Sequence, residues 1–234
     1  MDLLLTNKLI QLIKSSKHHV SKDWLKVHSK FFHGEHLEKF ARHLLILDSS
    51  NSNLHLPLPH FSEEITPKRA LSFAFFSSTL AKLKEHDFET NSLNKKEIAS
   101  LVHTVPFEQI LLIMGQRQTP ATIKTVDGLP LLKQEMIDSC LQPYNKQISY
   151  GVRAWEKHVD RSENTFWGEI KGTPQQKQTE VLKIINNMIE NHTWWNTFYH
   201  YKHQIVFEIR IASGHGIRWS VQDKLLIGFL EPFL

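Results

Sequence analysis

The sequence predicts an α+β fold: a helical N-terminal half, then a small antiparallel sheet packed against helices. Three observations carry this. Apolar residues recur at helical spacing along most of the chain as far as Asn191, and beyond that point the period switches to two. Glycine and proline number only 9 each in 234 residues, which excludes collagenous and low-complexity disordered classes.

The first helix is read from Leu5, Leu9, Leu12 and Ile13, and the second from Val20, Trp24, Val27 and Phe31. A third spans His36–Leu47, with Leu37, Phe40 and Leu44 on one face. Asp48–Asn53 is loop chemistry, prolonged by Pro57 and Pro59. The expected organisation is a helical region over 1–48, a loop or linker over 49–66 and an α+β domain over 67–234. Further helices are expected over Lys68–Glu85, Lys95–His103 and Phe107–Met114, then, after a loop over Gly115–Gly128, over Leu129–Cys140 and Ile148–Arg161. Thr173-Pro174-Gln175-Gln176 places a capping hydroxyl, a proline at the first helical position and glutamine at the third, so a helix should run from there to about Asn191. In Val206–Ile211 the residues Phe207, Ile209 and Ile211 share one face and Glu208 and Arg210 the other, the mark of a strand. Ser213–Gly216 is then a turn, and Ile217–Ser220 and Lys224–Leu230 are strands.

A net charge of +4 and a pI near 9.0 favour anionic partners without the dense lysine and arginine loading of a dedicated nucleic-acid binder. Cys140 is the one cysteine, so no intrachain disulfide forms and a reducing compartment is the simplest expectation. Apolar runs such as Ile110–Met114 are far too short to span a bilayer, and no membrane partner is expected. The first eight residues, Met1–Lys8, do not resemble a secretory signal; a cytoplasmic location is expected, although an effector exported without a cleaved signal would look the same.

The candidate chemistry lies in the C-terminal third. On the helix over 148–161, Ile148, Val152, Trp155 and Val159 form a core stripe, while Arg153, Lys157 and Arg161 stand one turn apart on the opposite side. They are a ligand-binding set for an anion, or else a solvated basic face partly neutralised by Glu156 and Asp160. His158, at the stripe's edge, is a candidate general acid or base, or a hydrogen-bonded boundary residue. Glu208 and Arg210 are either site residues or a salt-bridged pair on a wet sheet face. The turn Gly214-His215-Gly216, followed by Arg218, suits a phosphate or carboxylate approached by backbone N–H groups; a hairpin requiring positive φ would use the same glycines. Glu231 is a further candidate for orienting a histidine. Neither a Gly-Lys-Ser/Thr phosphate loop nor a Gly-x-Gly-x-x-Gly turn occurs.

Fifteen histidines, with His18, His19, His28, His33, His36 and His43 crowding the first helices and His192, His200 and His203 later, raise a metal reading, but none stands at a strong zinc spacing, so no metal residue is assigned. Cys140 as a nucleophile has no specific support. The run Trp194–His203 interleaves aromatic and basic side chains, which serves base stacking in single-strand binders and core packing in most other proteins.

Taken together, Gly151-Val152-Arg153-Ala154-Trp155-Glu156-Lys157-His158-Val159-Asp160-Arg161, Phe166-Trp167-Gly168, Glu208-Ile209-Arg210, Gly214-His215-Gly216-Ile217-Arg218-Trp219 and Gly228-Phe229-Leu230-Glu231-Pro232 resemble an uncharacterised domain with the pattern R-A-x-x-K-H-x-x-R, W-G, G-x-G-x-R-W, G-F-L-E-P. The resemblance is confined to the C-terminal part of the chain and implies no activity and no catalytic residue.

Two functions follow. The first is an enzyme, a hydrolase or transferase, acting on a phosphate-bearing or nucleotide-like substrate. Arg153, Lys157, Arg161, Arg210 and Arg218 would neutralise the anion, His158 or His215 would be the acid or base, and Glu208 or Glu231 would orient that histidine or act as the base. The second is a non-enzymatic binding module for RNA or protein partners. No cofactor is assigned.

Overall fold

The computed structural model describes residues 3–49, 57–160 and 166–233. They form two compact units. One holds the described residues of Met1–His55, Ile65–Arg117 and Ile123–Leu129; the other holds those of Leu56–Glu64, Gln118–Thr122 and Pro130–Leu234. The helices over 69–114, grouped from sequence with the C-terminal domain, lie in the first unit. The expected linker over 49–66 falls partly on residues 50–56, outside the described residues.

The first unit is helical: α1 (Leu3–Ser16), α2 (Lys22–His28), α3 (Gly34–Ser49), α4 (Arg69–Glu85), α5 (Ser92–Thr104) and α6 (Phe107–Met114). The apolar stripes of the first and third helices meet here; the expected second helix is broken after His28, and of its stripe Val20 and Phe31 are buried while Val27 is exposed. Leu9, Leu12 and Ile13 of α1 are fully buried, as are Phe31, Leu37 and Phe76, and the rings of Phe31, Phe40 and Phe76 stack edge to face in series at 5.5 Å. After a polar first turn with Glu108 and Gln109, α6 is apolar all round, and Ile110–Met114 are all buried. Gly115, at φ 101°, ends it: the Gln116 amide bonds Leu111 O and the Gly115 amide bonds Leu112 O, the paired bonds of a left-handed helix terminus. The loop that follows is tied down by the buried Gln116 amide, whose Nε2 donates to Ile123 O at 3.0 Å.

The second unit contains α7 (Lys133–Leu141), α8 (Tyr150–Val159), α9 (Pro174–Asn191) and a four-stranded antiparallel meander, β1 (Trp194–His200), β2 (Gln204–Arg210), β3 (Gly216–Ser220) and β4 (Leu225–Leu230). Thr173 and Gln176 make the expected reciprocal cap on α9. α9 packs on β2 and β3, and α8 on β4. The register places Trp195, Ile209, Ile217 and Phe229 on one face, with Thr197, Phe207 and Trp219 beside them. On the other face Asn196, Glu208, Arg218 and Gly228 align.

Strand β1 departs from the sequence reading, which gave the run Trp194–His203 no strand. Trp194, Trp195, Asn196 and Thr197 are buried on both faces, so the strand lacks the polar/apolar alternation that identifies a half-wet strand. α8 is also shorter at both ends than the helix expected over 148–161. Among the described residues, no single helix is long and apolar enough to cross a membrane.

Candidate active site

Segments far apart in the chain meet at the carboxylate of Glu231, just past β4. His158 Nε2, from α8, lies 2.8 Å from Glu231 Oε1. The indole of Trp167 donates to the same oxygen at 2.9 Å. His215 Nε2, from the turn between β2 and β3, stands 3.3 Å from Oε2, at ion-pair distance but off the line of a hydrogen bond.

Local sequence chemistry explains each placement. Ser149 caps α8 by accepting from the Val152 amide, which orients the helix carrying His158. Gly151 lets α8 press on α7, since a Cβ there would sit 2.9 Å from Cys140 O. Trp155 buries its ring in the core stripe and donates Nε1–H to Trp167 O at 2.8 Å, fixing the backbone from which the second indole reaches Glu231. His215 is held between Ser213, whose Oγ is 2.8 Å from Nδ1, and the face of Phe166, stacked at 3.6 Å and 7°.

Burial holds the His215 imidazole below its ordinary value. The Glu231 carboxylate opposes that shift, and the positive charges of His158 and Arg210 add to it. His215 therefore favours the neutral form near pH 7, ready to accept a proton.

A second cluster stands behind the first. The Glu208 carboxylate accepts from Arg210 Nε at 2.5 Å through one oxygen and from Arg218 Nε at 2.7 Å through the other. Arg210 also donates through one terminal nitrogen to Gly214 O at 2.5 Å and to Glu231 O at 2.9 Å, and lies 3.9 Å over the ring of Phe233. One guanidinium thus ties the turn carrying His215 to the backbone carrying Glu231. Burial lowers its proton affinity, Glu208 opposes the shift, and the group stays cationic at physiological pH.

The wet sheet face expected for Glu208 and Arg210 is corrected here: they are a salt-bridged pair, but 1% and 2% exposed. Strand β2 is central and covered on both sides, and the three-way charge network compensates the desolvation.

The structure brings together His158, His215, Glu231 and Arg210, with Glu208 and Arg218 adjoining. Arg153 and Lys157 lie exposed on α8, the former 5.7 Å from the ring of Tyr144. Arg161 lies outside the described residues. The amide of Gly214 is committed to Ile211 O at 2.9 Å, and Gly216 pairs with Arg210 and Leu230 in the sheet. Both glycines serve close packing: Gly214 has φ +90°, and a Cβ on Gly216 would sit 2.5 Å from Ile209 O. Trp167, Phe166 and Ser213 were not singled out as site residues from sequence. The usable signal was Trp167, since a buried indole N–H requires an acceptor.

Cys140 is buried, donates to Met136 O, and burial pushes its thiol up to about 11, which fits packing rather than nucleophilic attack. Among the described residues, no group of three or more His, Cys, Asp or Glu side chains is arranged to hold a metal ion.

Residues 137–231 match the family model of the CdiA C-terminal tRNase toxin domain. The matched stretch contains His158, Trp167, Glu208, Arg210, His215, Arg218 and Glu231. No curated protein and no solved structure matches the chain.

Proposed function

We propose that the chain is an RNA-cleaving enzyme of tRNase type, with His158 and His215 as its acid–base pair and Glu231 as the group that orients them. The observation that carries this is the pair of imidazoles on one carboxylate, at 2.8 and 3.3 Å, inside the stretch that matches a tRNase toxin family. Two titratable rings on one carboxylate suit proton transfer at a common centre.

RNA carries its own nucleophile, the 2′-hydroxyl. His215, favoured neutral, takes the 2′-hydroxyl proton while the 2′-oxygen bonds to phosphorus. His158 gives a proton to the departing 5′-oxygen as the P–O5′ bond breaks, leaving a 2′,3′-cyclic phosphate and a 5′-hydroxyl. Water then opens the cyclic ester with the two roles exchanged. Arg218 supplies positive charge toward the phosphorane, and Glu208 holds that guanidinium in place. Arg210 acts as a positioning residue through Gly214 and Glu231. An enzyme directed at tRNA acts where tRNA is, which puts its place of action in the cytoplasm.

The test is cleavage of total tRNA by the full chain. His158→Ala and His215→Ala should each lower the rate by about 10²–10⁴-fold, with the double variant little worse than either single one. Cleavage at the parent rate by either variant would remove the assignment.

A further inference from the structure

The active-site reading leaves the aromatic and basic run at the β1–β2 hairpin unused. Tyr199 and Tyr201 are 65% and 86% exposed, so neither ring contributes to the core. The rings of His200 and His203 stack at 5.1 Å and 22°, His200 lies 4.8 Å from Tyr201, and Lys202 Nζ stands 5.3 Å over the Tyr201 ring. The tip, Tyr201-Lys202-His203, contains none of the glycine, asparagine or aspartate that hairpin turns favour, and Gln204 takes φ 56°. Turn stability does not explain these residues.

The hairpin also connects to the site. Along β1, Phe198 and His200 point to the sheet face that carries Glu208 and Arg218, and the Arg218 guanidinium lies 5.5 Å from the Phe198 ring. From His192 to Phe207 there is no aspartate or glutamate. A strip of rings and basic side chains, free of acids along its own segment, therefore runs up β1 to the hairpin tip from beside the Arg218–Glu208 ion pair.

We infer that the β1–β2 hairpin, through Phe198, His200, Tyr201, Lys202 and His203, is a docking platform for single-stranded RNA reaching away from the His158–His215–Glu231 centre. This rests on the RNA reading given above and names how a long substrate is held. Stacking on rings beside a positive charge is the mode that tolerates any base sequence. A seven-residue strand separates the platform from the Arg210 end of the sheet, a span of roughly 20 Å. At the duplex spacing of about 3.4 Å per phosphate that is at most roughly six nucleotides, and fewer for an extended strand. A dinucleotide at the histidine pair cannot reach the hairpin; an RNA of about twelve nucleotides can.

The test uses the full chain carrying His215→Ala to suppress turnover, with fluorescence anisotropy against a single-stranded RNA of about twelve nucleotides and against a dinucleotide, across a salt series. Adding Tyr201→Ala and Lys202→Ala should weaken the longer RNA about tenfold or more and shallow its salt slope by about one, with the dinucleotide changed less than about twofold. Tyr201→Phe should restore most of what the Tyr201→Ala change loses, because it keeps the stacking face. Equal affinity for the longer RNA with and without the hairpin changes overturns the platform, as does equal loss for both ligands. The two readings separate cleanly: if the parent chain cleaves no tRNA but the hairpin variants still lose the longer RNA, the platform stands and the catalytic assignment falls.

Discussion

Trp167 and His158 share one acceptor, Oε1 of Glu231, at 2.9 and 2.8 Å, and their rings meet edge to face at 5.1 Å. The indole fixes the carboxylate in the position where it meets the imidazole. Trp167→Phe keeps the ring and removes the N–H. It should lower the cleavage rate about tenfold through misplacement and reduce unfolding free energy by about 1.5–3 kcal/mol, the range for a hydrogen bond to a charged group. Initial rates and urea unfolding measure both. An unchanged rate would show that the indole only packs.

Glu231→Gln keeps the shape and removes the charge. In the parent the carboxylate raises His215 against the lowering effect of burial. Its removal should drop the His215 titration further, shift the acid limb of the pH–rate profile to lower pH, and cut the maximal rate by about 10²-fold. NMR titration of the His215 ring follows the shift directly, and movement to higher pH would contradict the arrangement.

Glu208→Gln removes the single carboxylate that serves two guanidinia. Arg210 is then a buried cation without its counter-charge, and the expected loss is about 3–5 kcal/mol of stability. Replacing Glu208 and Arg210 together by leucine and methionine should return much of that loss, because the penalty lies in the orphaned charge. Urea midpoints of the two variants decide it; equal destabilisation would argue against an orphaned charge as the cause.

His43, in the helical unit, is buried with Nδ1 3.2 Å from Ile113 O, and its imidazole is held down to about 3. Burial is the main cause, and the cations Arg69, Lys39 and Arg42 add to it. The unfolded chain protonates this ring near 6.5 and the folded chain does not, so stability is full above that pH and falls as pH drops from 6.5 toward 3. At about 1.4 kcal/mol per pH unit, the loss reaches a few kcal/mol. His43→Gln should flatten the acid side of the stability curve by up to one proton, read from urea unfolding at several pH values.

Gly214→Ala places a Cβ at φ +90° and 2.9 Å from the Pro232 side chain. A loss above about 1 kcal/mol is expected, together with slower cleavage, because the same residue's carbonyl receives Arg210. Thermal unfolding and initial rates report the two effects, and a neutral outcome would mean the turn relaxes without disturbing the guanidinium.

What sequence revealed and what it hid follows from the range of the forces involved. The cap at Thr173, the buried Val152 and Trp155 of the helix stripe and a strand at β2 follow local patterns and stand where expected, although both faces of β2 are buried. Strand β1 was hidden because Trp194–Thr197 carry no polar/apolar alternation, although Trp194, Trp195, Thr197, Phe198 and Tyr199 all have high strand propensity. His158, His215 and Glu231 were legible as residue types. Their meeting was not, because it depends on α8 docking against β4, a contact no local pattern encodes. Arg210 was legible as a charge near a turn, but its bonds to two backbone carbonyls exist only once the strands are in register.

The meander has a temporal consequence. Its strands pair in chain order, each with the one just made, so the sheet grows by short-range steps and needs no distant partner until the end. Glu231 follows the last of these strands. During synthesis α8 and the β2–β3 turn emerge first, and their histidines have no anion to meet until β4 has added to the sheet. A nascent chain that stalls before β4 therefore holds both imidazoles without the Glu231 carboxylate, and the cluster closes only when that strand has joined the sheet.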